Sequence, residues 1–123
     1  MDEFRRICKQ KMENSEGVEF FRINKGEDQL PKFEIHRYHA AVHILRDIIS
    51  RAPFLDDSTG VILLNPDNFH FVLNFMNGSE VLLRAEIYYG YVLIDGKWFD
   101  TLDFGRLWNT LNIIALLDKG GAA

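Results

Sequence analysis

Between Phe69 and Asp100 the chain reads FHFVLNFMNGSEVLLRAEIYYGYVLIDGKWFD, with apolar side chains at odd and even positions alike. A strand with one face on a core alternates apolar and polar residues, because successive side chains point to opposite sides. The second apolar parity therefore needs a reason. Asn77-Gly78 and Asp95-Gly96 are strong hairpin signals, so the stretch folds as consecutive antiparallel strands.

Parity chooses the register. A two-residue loop at Asn77-Gly78 sets Phe71 opposite Arg84 and Phe69 opposite Glu86, which mixes core and solvent residues on each face. A three-residue loop, Met76-Asn77-Gly78 with Gly78 left-handed as a bulge, pairs Phe75 with Ser79 instead. Leu73 then faces Val81, Phe71 faces Leu83 and Phe69 faces Ala85. This register predicts one core face of Phe69, Phe71, Leu73, Phe75, Val81, Leu83, Ala85 and Ile87. The opposite face holds His70, Val72, Asn74, Glu80, Leu82, Arg84, Glu86 and Tyr88. Aliphatic, aromatic and charged groups interleaved in this way suit a protein-contact surface. Val72 beside Leu82 also fits a plain cross-strand pair on an exposed face.

The remaining elements read as follows. Residues 2–14 form an amphipathic helix with Phe4, Ile7, Cys8 and Met12 on one face. Gly17 ends it, and residues 18–23 are a strand; 24–30 are a polar loop. Pro31 suits the first turn of a helix running to about Arg51, with Ile35, Tyr38, Val42, Leu45 and Ile49 as its buried stripe. Residues 56–60 are a loop, 61–64 a short apolar strand and 66–68 a turn. A last helix is capped by Thr101 or Asp103, packs through Phe104, Leu107, Trp108, Leu111, Ile114 and Ala115, and closes at Gly120-Gly121. The expectation is a single α+β domain spanning 1–123: an antiparallel sheet of about five strands, a meander of hairpins, packed on one face by three helices.

Composition narrows the function. With 123 residues, 47% hydrophobic and 10 Phe, the chain can build a core without disulfides or metal. A net charge of −4 argues against direct nucleic-acid binding, which needs clustered Lys and Arg. No apolar segment is long enough to span a bilayer, so no membrane is expected. The single cysteine, Cys8, and a first segment without a secretory apolar run make the cytoplasm the expected compartment. Cys8 lies in the apolar stripe of its helix and reads as a buried inert thiol.

The one constellation with metal-ligand spacing is His36, His39 and His43, continued by Asp47. At helical pitch they share a stripe, and His39 with His43 at i, i+4 could chelate a divalent ion. They remain weak candidates, because Ala40, Ala41 and Val42 supply no HExxH glutamate and His70 is the only other histidine. Asp57-Ser58-Thr59-Gly60 has one residue too many for an aspartic-protease loop, and neither a serine elbow nor a phosphate loop occurs. No catalytic residue and no cofactor are therefore expected.

The function expected is a small acidic, non-enzymatic module of the inhibitor, immunity, anti-defence or chaperone type. It binds another protein through His70, Val72, Asn74, Leu82, Arg84, Glu86 and Tyr88, and a homodimer is compatible with it. Two alternatives stand beside it: a small-molecule-binding or enzymatic domain with a pocket between sheet and helices, or a metal- or pH-responsive regulator using the histidine stripe.

Overall fold

A computed structural model describes residues 2–24, 32–55, 69–101 and 105–121. Among these the order is α1 (Asp2–Asn14), β1 (Gly17–Asn24), β2 (Lys32–Ile35), α2 (Ala40–Arg51), β3 (Phe54–Leu55), β4 (Phe69–Asn77), β5 (Glu80–Tyr88), β6 (Tyr91–Ile94), β7 (Lys97–Asp100) and α3 (Arg106–Gly121). The fold is α+β: a seven-stranded antiparallel sheet in the order β2-β1-β4-β5-β6-β7-β3, packed against three helices. The strand expected at 61–64 and the loops at 25–30, 56–60 and 66–68 lie outside the described residues, as do Asp103 and Phe104.

The sheet's inner face meets the helices in one buried cluster. Phe71, Leu73 and Phe75 of β4, Leu83, Ala85 and Ile87 of β5, and Phe20 of β1 join Cys8 and Met12 of α1, Leu45 and Ile49 of α2, and Leu107 and Leu111 of α3. Trp108 meets Phe71 edge-on at 5.1 Å between ring centroids. Each fully buried side chain of this size contributes about 1.5–3 kcal/mol against leaving it in water. The hydrophobic effect is what holds sheet and helices together.

On α1 the buried stripe is narrower than expected. Phe4, Cys8 and Met12 face the core, whereas Ile7 is exposed. At about 100° per residue, Arg5 rather than Ile7 extends the sector of those three. Arg5 earns that place by donating to the carbonyls of Ile49 at 2.6 Å and Ala52 at 2.7 Å, so it caps the C-terminal end of α2. Its guanidinium also lies 4.4 Å from the centre of the Phe54 ring.

The helix expected from Pro31 to Arg51 is only half there. Lys32–Ile35 forms strand β2, and α2 begins at Ala40. Pairing with β1 decides the outcome: Phe33 lies opposite Phe20 and stacks on it at 4.8 Å, and Ile35 lies opposite Val18. Phe33-Glu34-Ile35 alternates with period two, which a helical wheel misreads when Pro31 suggests a start. Val42, Leu45 and Ile49 are buried as expected, but Ile35 belongs to a strand and Tyr38 is exposed.

The β4–β5 hairpin corrects the register. Asn77 pairs with Glu80, so Gly78-Ser79 is the two-residue turn; Gly78 has φ +62°, as the first central position of a type II′ turn requires. Phe75 pairs with Leu83 while Met76 pairs with Val81, so the extra residue is Leu82 on β5. Beyond this bulge Leu73 faces Ala85 and Phe71 faces Ile87, four residues from the expected partners. Four is even, so parity survives and Phe71, Leu73, Phe75, Leu83, Ala85 and Ile87 all face inward. Val81 does not: lying before the bulge, it shares the outer side with Met76 and is 47% exposed. Asp95-Gly96 forms the expected tight turn, with φ of 48° and 75°.

Candidate functional site

The outer face of the sheet is built in rows. Phe21 of β1, Val72 of β4, Glu86 of β5, Leu93 of β6, Trp98 of β7 and Leu55 of β3 are successive cross-strand partners. This row crosses the sheet, and Lys32 of β2 pairs with Phe21 at its end. One flanking row is polar: Glu34, Glu19, Asn74 and Arg84. On the other side Ile23 pairs with His70, and Tyr88 pairs with Tyr91, which faces Asp100.

The second apolar parity of the 69–100 run is thereby explained. Phe21, Val72 and Trp98 are 8%, 0% and 7% exposed, yet none belongs to the cluster shared with the helices. Their neighbours on the same face cover them. Arg84 starts from β5, and its guanidinium lies 5.9 Å from the ring of Phe21 on β1. To do so its stem crosses β4, whose outer side here is Val72 and Asn74. His70 stacks on Tyr88 at 4.7 Å and 15°, and Tyr88 meets Trp98 at 5.4 Å. These three rings form a file running diagonally from β4 to β7.

The sequence-predicted site residues therefore lie on one face, at different depths. Val72 and Asn74 are its buried floor; His70, Leu82, Glu86 and Tyr88 are half-buried; Arg84 is exposed. The expected Val72–Leu82 pair does not form, because the bulge sets Val72 opposite Glu86. Phe21, Leu93 and Trp98 complete the face and were missed. Their signal was present as apolar residues at both parities in Val18–Ile23 and Tyr91–Asp100, but strand order was needed to align them with Val72.

The electrostatics centre on Glu86. His70 Nε2 lies 3.6 Å from its Oε1, a close polar contact longer than a hydrogen bond. The imidazole holds the Glu86 carboxyl below the usual carboxylate range; burial opposes this, and the charges of His70 and Arg84 reinforce it. Burial, then the Glu86 charge, pushes the Tyr88 phenol up. Two buried atoms of the face lack a hydrogen-bond partner: His70 Nε2 and Asn74 Oδ1.

The histidine stripe does not assemble. His39 is the N-cap of α2 and not a residue on its face: its Nδ1 accepts from the Ala41 amide at 3.0 Å. His36 precedes the helix and accepts at Nδ1 from the Tyr38 amide at 3.2 Å. Only His43 and Asp47 are helical, and Asp47 is bonded to Arg51. Among the described residues no group of three or more His, Cys, Asp or Glu is placed to hold a metal ion.

The space between sheet and helices is filled by side chains such as Phe20, Phe71, Leu45 and Leu111, all fully buried. A groove of about 230 Å³ lies instead at the edge of α2, lined by Ile44, Asp47, Arg51, Thr101 and Arg106. Thr101 Oγ1 is already committed to the Gly90 carbonyl at 2.8 Å. Comparison with protein-family models, curated proteins and solved structures finds no match to the chain.

Proposed function

We propose that the protein is a non-enzymatic binding module that engages another protein through the outer face of its sheet. Leu82, Arg84, Glu86 and Tyr88 make the contact, with His70 beside them and Val72 and Asn74 as the floor beneath. The observation that carries this reading is the row from Phe21 through Val72, Glu86, Leu93 and Trp98 to Leu55, laid across the side away from the helical core. Phe21, Val72 and Trp98 of this row are covered within the sheet, so what the face leaves open to a partner is the half-buried Leu82, Glu86, Tyr88 and Leu93 and the exposed Arg84 around them. Half-buried Tyr88 and exposed Arg84 are of the residue types that anchor interfaces.

Affinity purification of the tagged protein from its native host tests this, run in parallel with Arg84→Glu, Leu82→Arg and a control on α3, Ile113→Arg. The outer-face variants should lose the co-purified partner while keeping the wild-type melting temperature, and Ile113→Arg should retain it. A partner that stays with Arg84→Glu and Leu82→Arg but leaves with Ile113→Arg would place the working surface on the helices.

A further inference from the structure

Three of the four histidines lie at the start of α2, and two of them accept a backbone hydrogen bond there. His39, the N-cap, takes the Ala41 amide on Nδ1 at 3.0 Å. His36 takes the Tyr38 amide on Nδ1 at 3.2 Å, and its carbonyl accepts from the His39 amide at 2.9 Å. Asn, Asp or Ser usually makes such a turn, with a side-chain acceptor folded back on the chain. An imidazole can do so only while that nitrogen carries no proton. Once protonated, both ring nitrogens are donors and the backbone amide has nothing to bond.

Between the two turns sits Arg37, which donates to the carbonyls of Glu13 at 3.2 Å and Ser15 at 3.1 Å, at the end of α1. Its guanidinium lies 4.8 Å from the centre of the Tyr38 ring, and the His36 ring lies 5.1 Å from that ring on centroids. Residues 36–39 thus tie together the end of β2, the end of α1 and the start of α2. The surroundings do not welcome added protons. α2 has no acidic residue in its first turn, where His43 already stands, and the start of a helix disfavours positive charge. Arg46 and Asp47 follow on α2, and Asp47 is bonded to Arg51. On α1 the side that reaches α2 through Arg5 continues with Lys9 and Glu13. β2 brings Glu34 and the head of β1 Glu16, while Arg106 of α3 lies beside Arg51, at the other end of α2. Among the described residues no carboxylate is ion-paired with His36, His39 or His43.

We infer that residues 36–39 are an acid-opened latch, in which protons on His36 and His39 break both turns and free the first turn of α2 together with the Arg37 contacts to α1. Imidazole is the one ordinary side chain that changes charge between about pH 5 and 8. The two bonds contribute stability while the rings are neutral, and that contribution is lost as pH falls through the range in which they take up protons. Protonation also sets two new charges on either side of Arg37, at the positive end of α2. The opening is local. Val42, Leu45 and Ile49 hold α2 to the core by apolar contacts that protons do not touch. The latch lies with the helices and not on the outer face of the sheet, so it is independent of the binding reading above.

Heteronuclear NMR of the full chain in EDTA, titrated from pH 8 to 5, follows the Ala41 and Tyr38 amides beside the ring signals of His39 and His36. Each amide should move with its own imidazole, at the same midpoint, towards the position of an unbonded amide. At pH 5 the Ala41 amide should exchange with solvent roughly fivefold faster than at pH 7, relative to its intrinsic rate, as loss of a cap implies. Amides beyond Leu45 should keep their protection. His36→Asn combined with His39→Ser leaves an acceptor in each turn and removes the proton site. Between pH 7 and 5 the wild type should lose about 5 °C more in melting temperature than this double variant. Should the variant not fold, the wild-type titration decides alone. Equal acid losses in the two proteins would overturn the latch, as would Ala41 and Tyr38 amides that stay still while the rings titrate. Rings that take up no proton down to pH 5 would make the two turns fixed caps. An acid loss abolished by His43→Gln, but not by the double variant, would assign it to helix charge instead.

Discussion

Phe71, Leu73 and Phe75 point inward from β4 while Val72 and Asn74 point outward, and all five are buried. The two sides differ in what buries them. The inner three are sealed by residues from other strands and from helices, in a cluster whose members are almost all apolar. The outer two lie under side chains of the same sheet, the Arg84 stem and the His70–Tyr88–Trp98 rings, with a carboxylate in the same row and two polar atoms unpartnered. Low exposure alone does not define a core. A core excludes uncompensated polar groups because each one costs about 1–3 kcal/mol; the outer face keeps His70 Nε2 and Asn74 Oδ1 without a hydrogen bond and bears that cost.

The largest expected effect sets the two sides directly against each other. Phe71→Ala removes a ring that contacts Phe20 and Trp108, and should cost about 3–5 kcal/mol of stability. Tyr88→Ala removes ring contacts to His70 and Trp98 on the outer face and should cost about 1 kcal/mol. Urea unfolding of both variants measures the difference. Equal costs would make the outer face a second core and remove the structural ground for a docking site.

The next effect belongs to the inner side alone. Burial, with the charge of Asp95 adding to it, pushes the Cys8 thiol from its ordinary 9.0 up to about 11. A raised thiol pKa means the neutral form is favoured by folding. The contribution is fully present below pH 9.0, where both states are protonated, and is lost as pH rises through about 11. The two-unit interval corresponds to at most roughly 2–3 kcal/mol. Unfolding curves between pH 8 and 11 should show wild type losing stability faster than Cys8→Ala, with the native thiol slow towards disulfide exchange. Parallel pH profiles would show that Cys8 is reached by water.

How far the sequence revealed these two sides depended on which pattern carried the information. Parity is a local property, so Phe71, Leu73, Leu83 and Ala85 were legible as core even though their expected partners were four residues off. Register depends on the turn and on any bulge. The chain turns at Gly78-Ser79 rather than at Asn77-Gly78, and inserts Leu82 beyond it, a device with no mark in composition. Lys32–Ile35 was read as helix because Pro31 outweighed four residues of alternation; only β1 lying alongside makes them a strand. The same misreading created the histidine stripe, since His39 counts as a ligand on a helix face only if the helix starts before it. The outer row needed long-range information of the same kind. Phe21 and Trp98 are 77 residues apart in sequence and join Val72 only through the order β1-β4-β5-β6-β7.

The smallest expected effect tests the outer face by its charge. His70 first, with Arg84 assisting, holds the Glu86 carboxyl below its ordinary 4.5. A lowered carboxyl pKa contributes stability above the unfolded value and loses it as pH falls through the folded one. Because 30% of the Glu86 side chain and 19% of the His70 side chain remain exposed, solvent screens the pair. Glu86→Gln should therefore cost less than about 1 kcal/mol at pH 7. Thermal unfolding of wild type and Glu86→Gln from pH 7 downward should show that small gap closing below 4.5, whereas the Phe71→Ala deficit persists at every pH. The contrast follows from what each residue loses: Phe71 loses contacts that protons do not touch, Glu86 a charge that they neutralise. A Glu86→Gln deficit of core size, unchanged by acid, would mean that the row is held by packing within this chain and has no charge left to offer a partner.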